Sequence, residues 1–219
     1  MDFFNLPIRT KVGRVVPKKA FDEYTNTKQK KLFTDCIQRI SWTHKLSADT
    51  VNLDAKDIHE IQVFKIELKQ KSDILKILEI INKFIPYHIV FWVEYNQEAF
   101  ISAASIHPHP TNDDVAVIDW TFTSDWFNKD DNSYAFNLKG SIDAVFKDLC
   151  VQLTGKPELG KQSLGSILKN QQEVDRLKKE IRKLQSAISR SKQFNEKVDL
   201  NLRLKKAQKD LRRITTSSD

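Results

Sequence analysis

The stretch from Ile58 to Tyr95 constrains this chain most, because two apolar strand-like runs there flank an amphipathic helix-like run. The first run, IHEIQVFKIELK, is rich in Ile, Val and Phe, and the second, HIVFWVEY, is β-branched and aromatic throughout. Both have the composition of strands packed on one or both faces. Between them Ile74, Ile77, Leu78, Ile81, Phe84 and Ile85 recur at steps of three and four, which makes one helical face. Ser72 and Asp73 offer an N-cap. Pro86 ends the helix, since the residue before a proline is pushed out of the α region and the proline has no N–H to donate. A strand-helix-strand unit of this kind predicts an α/β (α+β) fold, a mixed β-sheet covered by helices.

The remaining segments are assigned around that unit. Residues 1–17 carry Pro7, Gly13 and Pro17 among scattered apolar residues, which predicts an extended arm with one short strand. From Lys18 to about Leu46, the spacing of Phe21, Tyr24, Leu32, Phe33, Cys36, Ile37 and Ile40 predicts two helices with a break near Asn26. Trp42 and His44 would seat that pair on the sheet. Val51 to Leu53 reads as a short strand that turns through Asp54 to Asp57 into the run from Ile58. Ala99 to Ile106 and Val115 to Thr123 read as two more strands, with HPHPTNDD between them as a loop. Asn128 to Gly140 is a polar loop, and Ser141 opens a helix with Ile142, Val145, Phe146, Leu149, Cys150 and Leu153 on one face.

Gly155, Pro157, Gly160 and Gly165 then break regular structure. Beyond them Ile167, Val174, Ile181 and Ile188 are spaced by sevens, with Leu177 and Leu184 at the intervening positions, a heptad seam. Leu200, Leu204, Ala207, Leu211 and Ile214 resume that spacing out of register, so a break near Ser189 to Asn195 predicts a helical hairpin rather than one rod. Each arm of roughly 20 residues would be about 30 Å long. The expected organisation is a globular α/β domain at 1–155, a linker at 156–166, a basic helical hairpin or coiled coil at 167–214 and a disordered tail at 215–219. A monomer is the expected state, with a dimer through the seam as its alternative.

Charge separates the same two parts. Residues 161–219 hold 16 Lys and Arg against 7 Asp and Glu, whereas residues 1–160 hold 20 against 22. A basic segment of this size points to a polyanion, nucleic acid above all. The candidate contacts are Lys178, Lys179, Arg182 and Lys183 on one arm, and Arg203, Lys205, Lys206, Lys209, Arg212 and Arg213 on the other. An antiparallel hairpin would set them side by side as one strip. Cys36 and Cys150 each fall among apolar residues and read as buried thiols in a reducing compartment. No apolar run approaches the roughly 20 residues of a membrane span, and MDFFNLPIRT lacks the pattern of an export signal. A cytoplasmic protein with no membrane partner is expected.

One pattern suggests catalysis. Glu67 and Lys69 form a Glu-x-Lys pair before the helix, with Asp54 or Asp57 upstream. In the restriction-endonuclease-like fold an Asp and such a pair hold Mg²⁺ and position the attacking water, because a hard cation needs acidic oxygens and a lysine polarises the water. The competing reading is a same-face charge pair at an exposed strand end. With 5 Gly in all, the chain shows neither a phosphate-cradling glycine loop nor a nucleophile elbow. His107 and His109 lie in a Pro-rich turn with no Cys nearby. No metal site and no cofactor is expected, Mg²⁺ entering only with the nuclease alternative.

The order LP near the start, then PKKAF, ISWTHKL, EIQVFKIELK, IPYHIVFWV and KQFNEKVDLN resembles the bacterial proteins grouped as domain of unknown function 4391. The resemblance covers nearly the whole chain. FNEKVDLN is its most specific piece, because helix packing does not demand an Asn, a Lys and an Asn there. The resemblance implies a place among helicases, DNA methyltransferases and restriction-type genes of defence loci, and it carries over no catalytic residues. The expected function is a non-catalytic accessory protein of such a DNA-targeting system, with the hairpin docking a helicase or DNA methyltransferase and nucleic acid. The alternatives are the metal-dependent nuclease and a stand-alone, non-specific nucleic-acid-binding protein.

Overall fold

Strand β1 (Lys11–Val15) pairs antiparallel with β2 (Ile37–Ser47), and β2 pairs antiparallel with β3 (Glu60–Leu68). Strand β4 (His88–Tyr95) runs parallel to β3, and β5 (Glu98–His109) and β6 (Asn112–Thr123) continue antiparallel from it. The short β7 (Phe127–Asn128) pairs with the start of β5. The result is a mixed seven-stranded sheet in the order β1-β2-β3-β4-β5-β6, with β1 and β6 at its edges. The structure, a computed structural model, describes residues 3–216. Two compact units divide it, Met1–Pro157 and Glu158–Asp219.

Helix α1 (Thr27–Cys36) precedes β2, the single turn α2 (Ala48–Val51) follows it, and α3 (Leu75–Phe84) makes the crossover between the parallel strands. Ile77, Leu78 and Ile81 of α3 are buried with Phe64, Ile66, Ile89, Phe91 and Val93. Burying each such side chain contributes about 1.5–3 kcal/mol, which fixes the helix on that face. The N-cap is Ile74, without a side-chain cap, rather than Ser72 or Asp73; Asp73 Oδ1, one residue further out, accepts the Leu75 N–H at 3.0 Å, and the helix stops one residue before Ile85, itself followed by Pro86. The alternate residues of β4, His88, Val90 and Trp92, face the other side. There α4 (Ile142–Thr154) packs on β3, β5 and β6. The Ser141 hydroxyl caps α4 by accepting the Ala144 N–H, and Gly155, at φ 66°, closes it in the left-handed conformation that favours glycine.

Three expectations are corrected. Residues 37–46 are strand, not helix: the two helical segments, broken near Asn26, are a 3-10 helix at Lys18–Tyr24 and α1, capped by a reciprocal Asn26–Gln29 box and ending at Cys36. Ile37 and Ile40 continue the helical spacing of Phe33 and Cys36 by coincidence. Bulges between Ile37 and Arg39 and between Trp42 and His44 break the alternation that would have marked a strand. Trp42 and His44 therefore lie on the sheet itself. Val51 closes α2, Asn52 is left-handed at φ 54°, and Asp54 makes an isolated bridge with Ser141 rather than a strand beside Ile58. HPHPTNDD extends the β5–β6 hairpin, with Pro108 inside β5 and only residues 110 and 111 in the turn.

A 3-10 helix at Pro157–Lys161 occupies part of the stretch read as linker. Helix α5 (Leu164–Arg190) starts before residue 167, and α6 (Phe194–Thr216) includes Thr215 and Thr216. Residues 217–219, the rest of the segment expected to be disordered, lie outside the described residues. Leu177, Ile181, Leu184 and Ile188 of α5 pack against Leu200, Leu204, Ala207 and Leu211 of α6. The seam is therefore closed within a helical hairpin.

Candidate functional site

The structure does not bring the Glu-x-Lys pair together with Asp54 or Asp57. Asp54 and Asp57 precede the first residue of β3, and Glu67 is next to its last. Seven residue steps from Glu60 to Glu67 span about 23 Å, so the acidic residues stand at opposite ends of one strand. Among the described residues no group of three His, Cys, Asp or Glu is arranged to hold a metal ion. Glu67 instead receives Lys65 Nζ at 3.1 Å, and Lys65 also reaches Glu94 on β4 at 2.9 Å. Burial works against the Lys65 charge, but hydrogen bonds to Glu94 and Glu67 outweigh it and hold the ammonium above the usual lysine range. Glu94 also accepts the Trp92 indole N–H at 3.1 Å. Lys69 points elsewhere, and its Nζ donates to the Thr34 carbonyl at 2.7 Å, near the C-terminus of α1, where carbonyls lack helical partners.

The histidines are likewise spread out. His107 Nδ1 is 2.9 Å from Asp119 Oδ1, while His109 meets Thr111 of the hairpin turn. His88 stands edge-on to Phe146, ring centroids 4.7 Å apart. Burial lowers its pKa to about 4, against the opposing pull of Asp143 and Asp119. Burial pushes the Cys150 thiol up, so it is a packed side chain and not a nucleophile; Cys36 is also free and buried.

On the hairpin, all ten predicted cations lie at least partly open to solvent. Lys179, Lys183 and Arg203 line a groove beside the α5–α6 seam, together with Arg176. Lys178 and Arg182 lie about 100° around α5 from Lys179 and Lys183, because successive residues of a helix advance by that angle. The groove is also partly neutralised: Lys179 pairs with Asp175 at 2.7 Å, and Arg176 bridges Glu173 and Glu180. A further feature lies away from the seam. Phe194, Val198 and Leu202 are 79%, 44% and 62% exposed and recur every four residues, so they form one apolar stripe. Val198 and Leu202 are each two residues from Leu200, about 200° around the helix, and so face away from α5.

The family described as Domain of unknown function (DUF4391) matches residues 4–211, nearly the whole chain. The chain belongs to the DUF4391 family. No curated protein and no solved structure matches it. Within this DUF4391 chain the segment FNEKVDLN coincides with the first two turns of α6 and contains Phe194 and Val198 of the exposed stripe. The seam pattern alone did not pick out that stripe. Its signal is present, three apolar residues at i, i+4 and i+8 that miss the heptad. Arg176 was also missed, although acids three residues before it and four after it mark a helix-surface ion cluster. Among the described residues of the DUF4391 chain, no helix is long and apolar enough to cross a membrane.

Proposed function

We propose that this DUF4391 protein is a non-catalytic accessory of a DNA-targeting bacterial defence or restriction-type system, and that its helical hairpin docks a helicase or DNA methyltransferase of the same locus and contacts nucleic acid. The observation that carries this reading is the apolar stripe of Phe194, Val198 and Leu202 on the outer face of α6. The seam already has its own apolar residues, so the stripe is surplus to hairpin packing. Anchors at i, i+4 and i+8 on a helix suit insertion into a groove of a partner protein. The surrounding cations give a sequence-indifferent attraction to phosphate. Phe194 is the single aromatic residue of α5 and α6, too few for a stacking platform along a single strand. The family resemblance points to a helicase or DNA methyltransferase as that partner.

The test is co-expression with the neighbouring helicase and methyltransferase genes, followed by capture of the full chain. One of these enzymes should co-purify with the parent protein at near-stoichiometric yield. The variant carrying Phe194→Asp and Leu202→Asp should lose it while keeping its helix content. Failure of both enzymes to co-purify with the parent would overturn the accessory reading. A parent that instead binds DNA in isolation, equally well with and without the stripe, would support the stand-alone binder.

A further inference from the structure

The first unit carries a sheet edge and an adjoining groove that the proposed function does not use. β6 is twelve residues long and ends the sheet, so its outer side presents backbone N–H and C=O groups that no strand among the described residues pairs. Such an edge is a template for another extended chain. Here it is neither short nor covered by a further strand. Helix α3 flanks it and leaves a groove of about 690 Å³ lined by Leu75, Leu78 and Asn82 from the helix and by Val115, Val117 and Thr121 from the strand. A second cavity of about 340 Å³ shares Leu75 and Thr123 with the first and continues to Trp126. The ten residues of α3 span about 15 Å, the length of four or five residues of extended chain.

Two polar features of this groove are left incomplete by the fold. Asn82 is 1% exposed, and its Oδ1 takes no hydrogen bond from the described residues. A buried amide oxygen without a donor is costly, and native proteins rarely keep one. Asn82 sits four residues after Leu78 on the buried side of α3, where an apolar residue would pack at no such cost. Lys76 is exposed, lines the same groove and has no carboxylate partner among the described residues. Its neighbour Lys83, by contrast, is neutralised by Glu79 at 2.6 Å.

We propose that the α3–β6 groove binds an extended peptide segment of a partner protein by strand addition. The peptide pairs its backbone with the outer edge of β6 and seats alternate apolar side chains against Leu75 and Leu78. It donates a hydrogen bond to Asn82 and sets a carboxylate against Lys76. A repeating row of donors and acceptors beside an apolar wall matches a strand, whose main chain supplies affinity and whose alternate side chains supply selectivity. This inference is independent of the hairpin and stands whether or not the accessory reading does.

The probe is a phage-displayed library of random linear twelve-residue peptides, panned on the full chain, with binding of the enriched peptides then measured by fluorescence anisotropy. We expect enriched sequences with apolar residues at alternate positions and an acidic residue. Val117→Lys, which places a charge on the edge, and Lys76→Glu should each weaken binding at least tenfold without changing the melting temperature appreciably. Asn82→Leu should raise the melting temperature and still weaken binding about tenfold, a combination that a purely structural Asn82 would not give. The proposal is overturned if the parent enriches no peptide, or if the enriched peptides bind all three variants within twofold of the parent. It is equally overturned if sedimentation shows a dimer that Val117→Lys separates, since a second copy would then cover the edge.

Discussion

Asp143 Oδ1 accepts the backbone N–H of Ile58 at 3.0 Å across 85 residues of sequence. The same carboxylate accepts the N–H groups of Asp57 and Lys56, each at 2.9 Å. One side chain in the first turn of α4 thus fixes the entry into β3, and through it the end of the sheet where His88 lies. The position also favours an anion, because the helix dipole is positive there.

Removing this carboxylate should destabilise the first unit. Burial alone would raise the Asp143 pKa, but the three backbone hydrogen bonds outweigh it and hold the carboxyl below the usual aspartate range. A depressed folded pKa gives stability that is complete at neutral pH and lost as pH falls through the folded value. Asp143→Ala should cost about 2–3 kcal/mol at pH 7, and the gap from the parent should narrow toward pH 3. Urea melts at both pH values check this; a gap that is the same at both would mean that charge plays no part.

His88 sets a separate pH dependence at higher pH. Its folded pKa of about 4 lies below the unfolded value of about 6.5, so the unfolded chain takes up a proton that the folded chain refuses. Stability should therefore fall as pH drops from about 6.5 to 4, by roughly 3 kcal/mol in total for this group. The negative charges of Asp143 and Asp119 moderate the fall. His88→Leu should flatten the melting temperature between pH 6.5 and 4.5, and an unchanged slope would assign the effect to other groups.

Much of the first unit was legible because its central elements carry their own signals. Ile74, Ile77, Leu78 and Ile81 declare the face of α3, Pro86 declares its end, and Ser141 declares the start of α4. β2 was hidden because its identity depends on partners on both sides, β1 and β3, and its bulges erase the period of two. Gly13 shows the same irregularity on β1: at φ 68° it sits where the register slips between Lys11 and Arg14. The α3–β6 groove could not be read locally at all. That β6 is an edge follows from strand order, and the isolation of Asn82 follows from what packs around it. The Glu-x-Lys spacing is silent on geometry for the opposite reason: Glu67 and Lys69 are near in sequence, yet they serve Lys65 and Thr34 respectively.

The placement of Glu67 makes a definite biochemical forecast. The full chain should show no cleavage of plasmid or single-stranded DNA with Mg²⁺ or Mn²⁺. Glu67→Gln should only weaken the pair with Lys65, which keeps Glu94, at a cost of about 1 kcal/mol or less. Clean metal-dependent cutting by the parent that disappears in Glu67→Gln would reinstate the nuclease.

The closed seam makes a forecast about assembly. With Leu177, Leu184, Leu200 and Ala207 satisfied within one hairpin, the chain should sediment as a monomer at all concentrations. Leu184→Asp buries an unpaired charge and should strip the helical signal of α5 and α6 without inducing or dissolving any oligomer. A dimer that becomes a folded monomer in Leu184→Asp would show that the seam closes between chains.

Affinity for nucleic acid should come from the hairpin and be electrostatic. The cations are open to solvent, and phosphate binding by such cations releases counterions, so the logarithm of affinity falls with the logarithm of salt by about 0.9 per duplex phosphate neutralised. At physiological salt the dissociation constant should lie around 10⁻⁴ to 10⁻⁶ M, the range of contacts that ignore sequence. The arrangement of the cations sharpens this. Lys179, Lys183 and Arg203 share one groove, so replacing all three by Glu should remove about three phosphate contacts and lower the salt slope by roughly 2.7. Replacing Lys178 and Arg182, which lie around the helix, should lower it by less if the duplex lies along the groove. Anisotropy titrations of the full chain on a duplex and on a single strand, from low to high salt, measure both slopes. An affinity that hardly responds to salt, or one that the triple variant retains, would leave the hairpin as a protein-docking element alone.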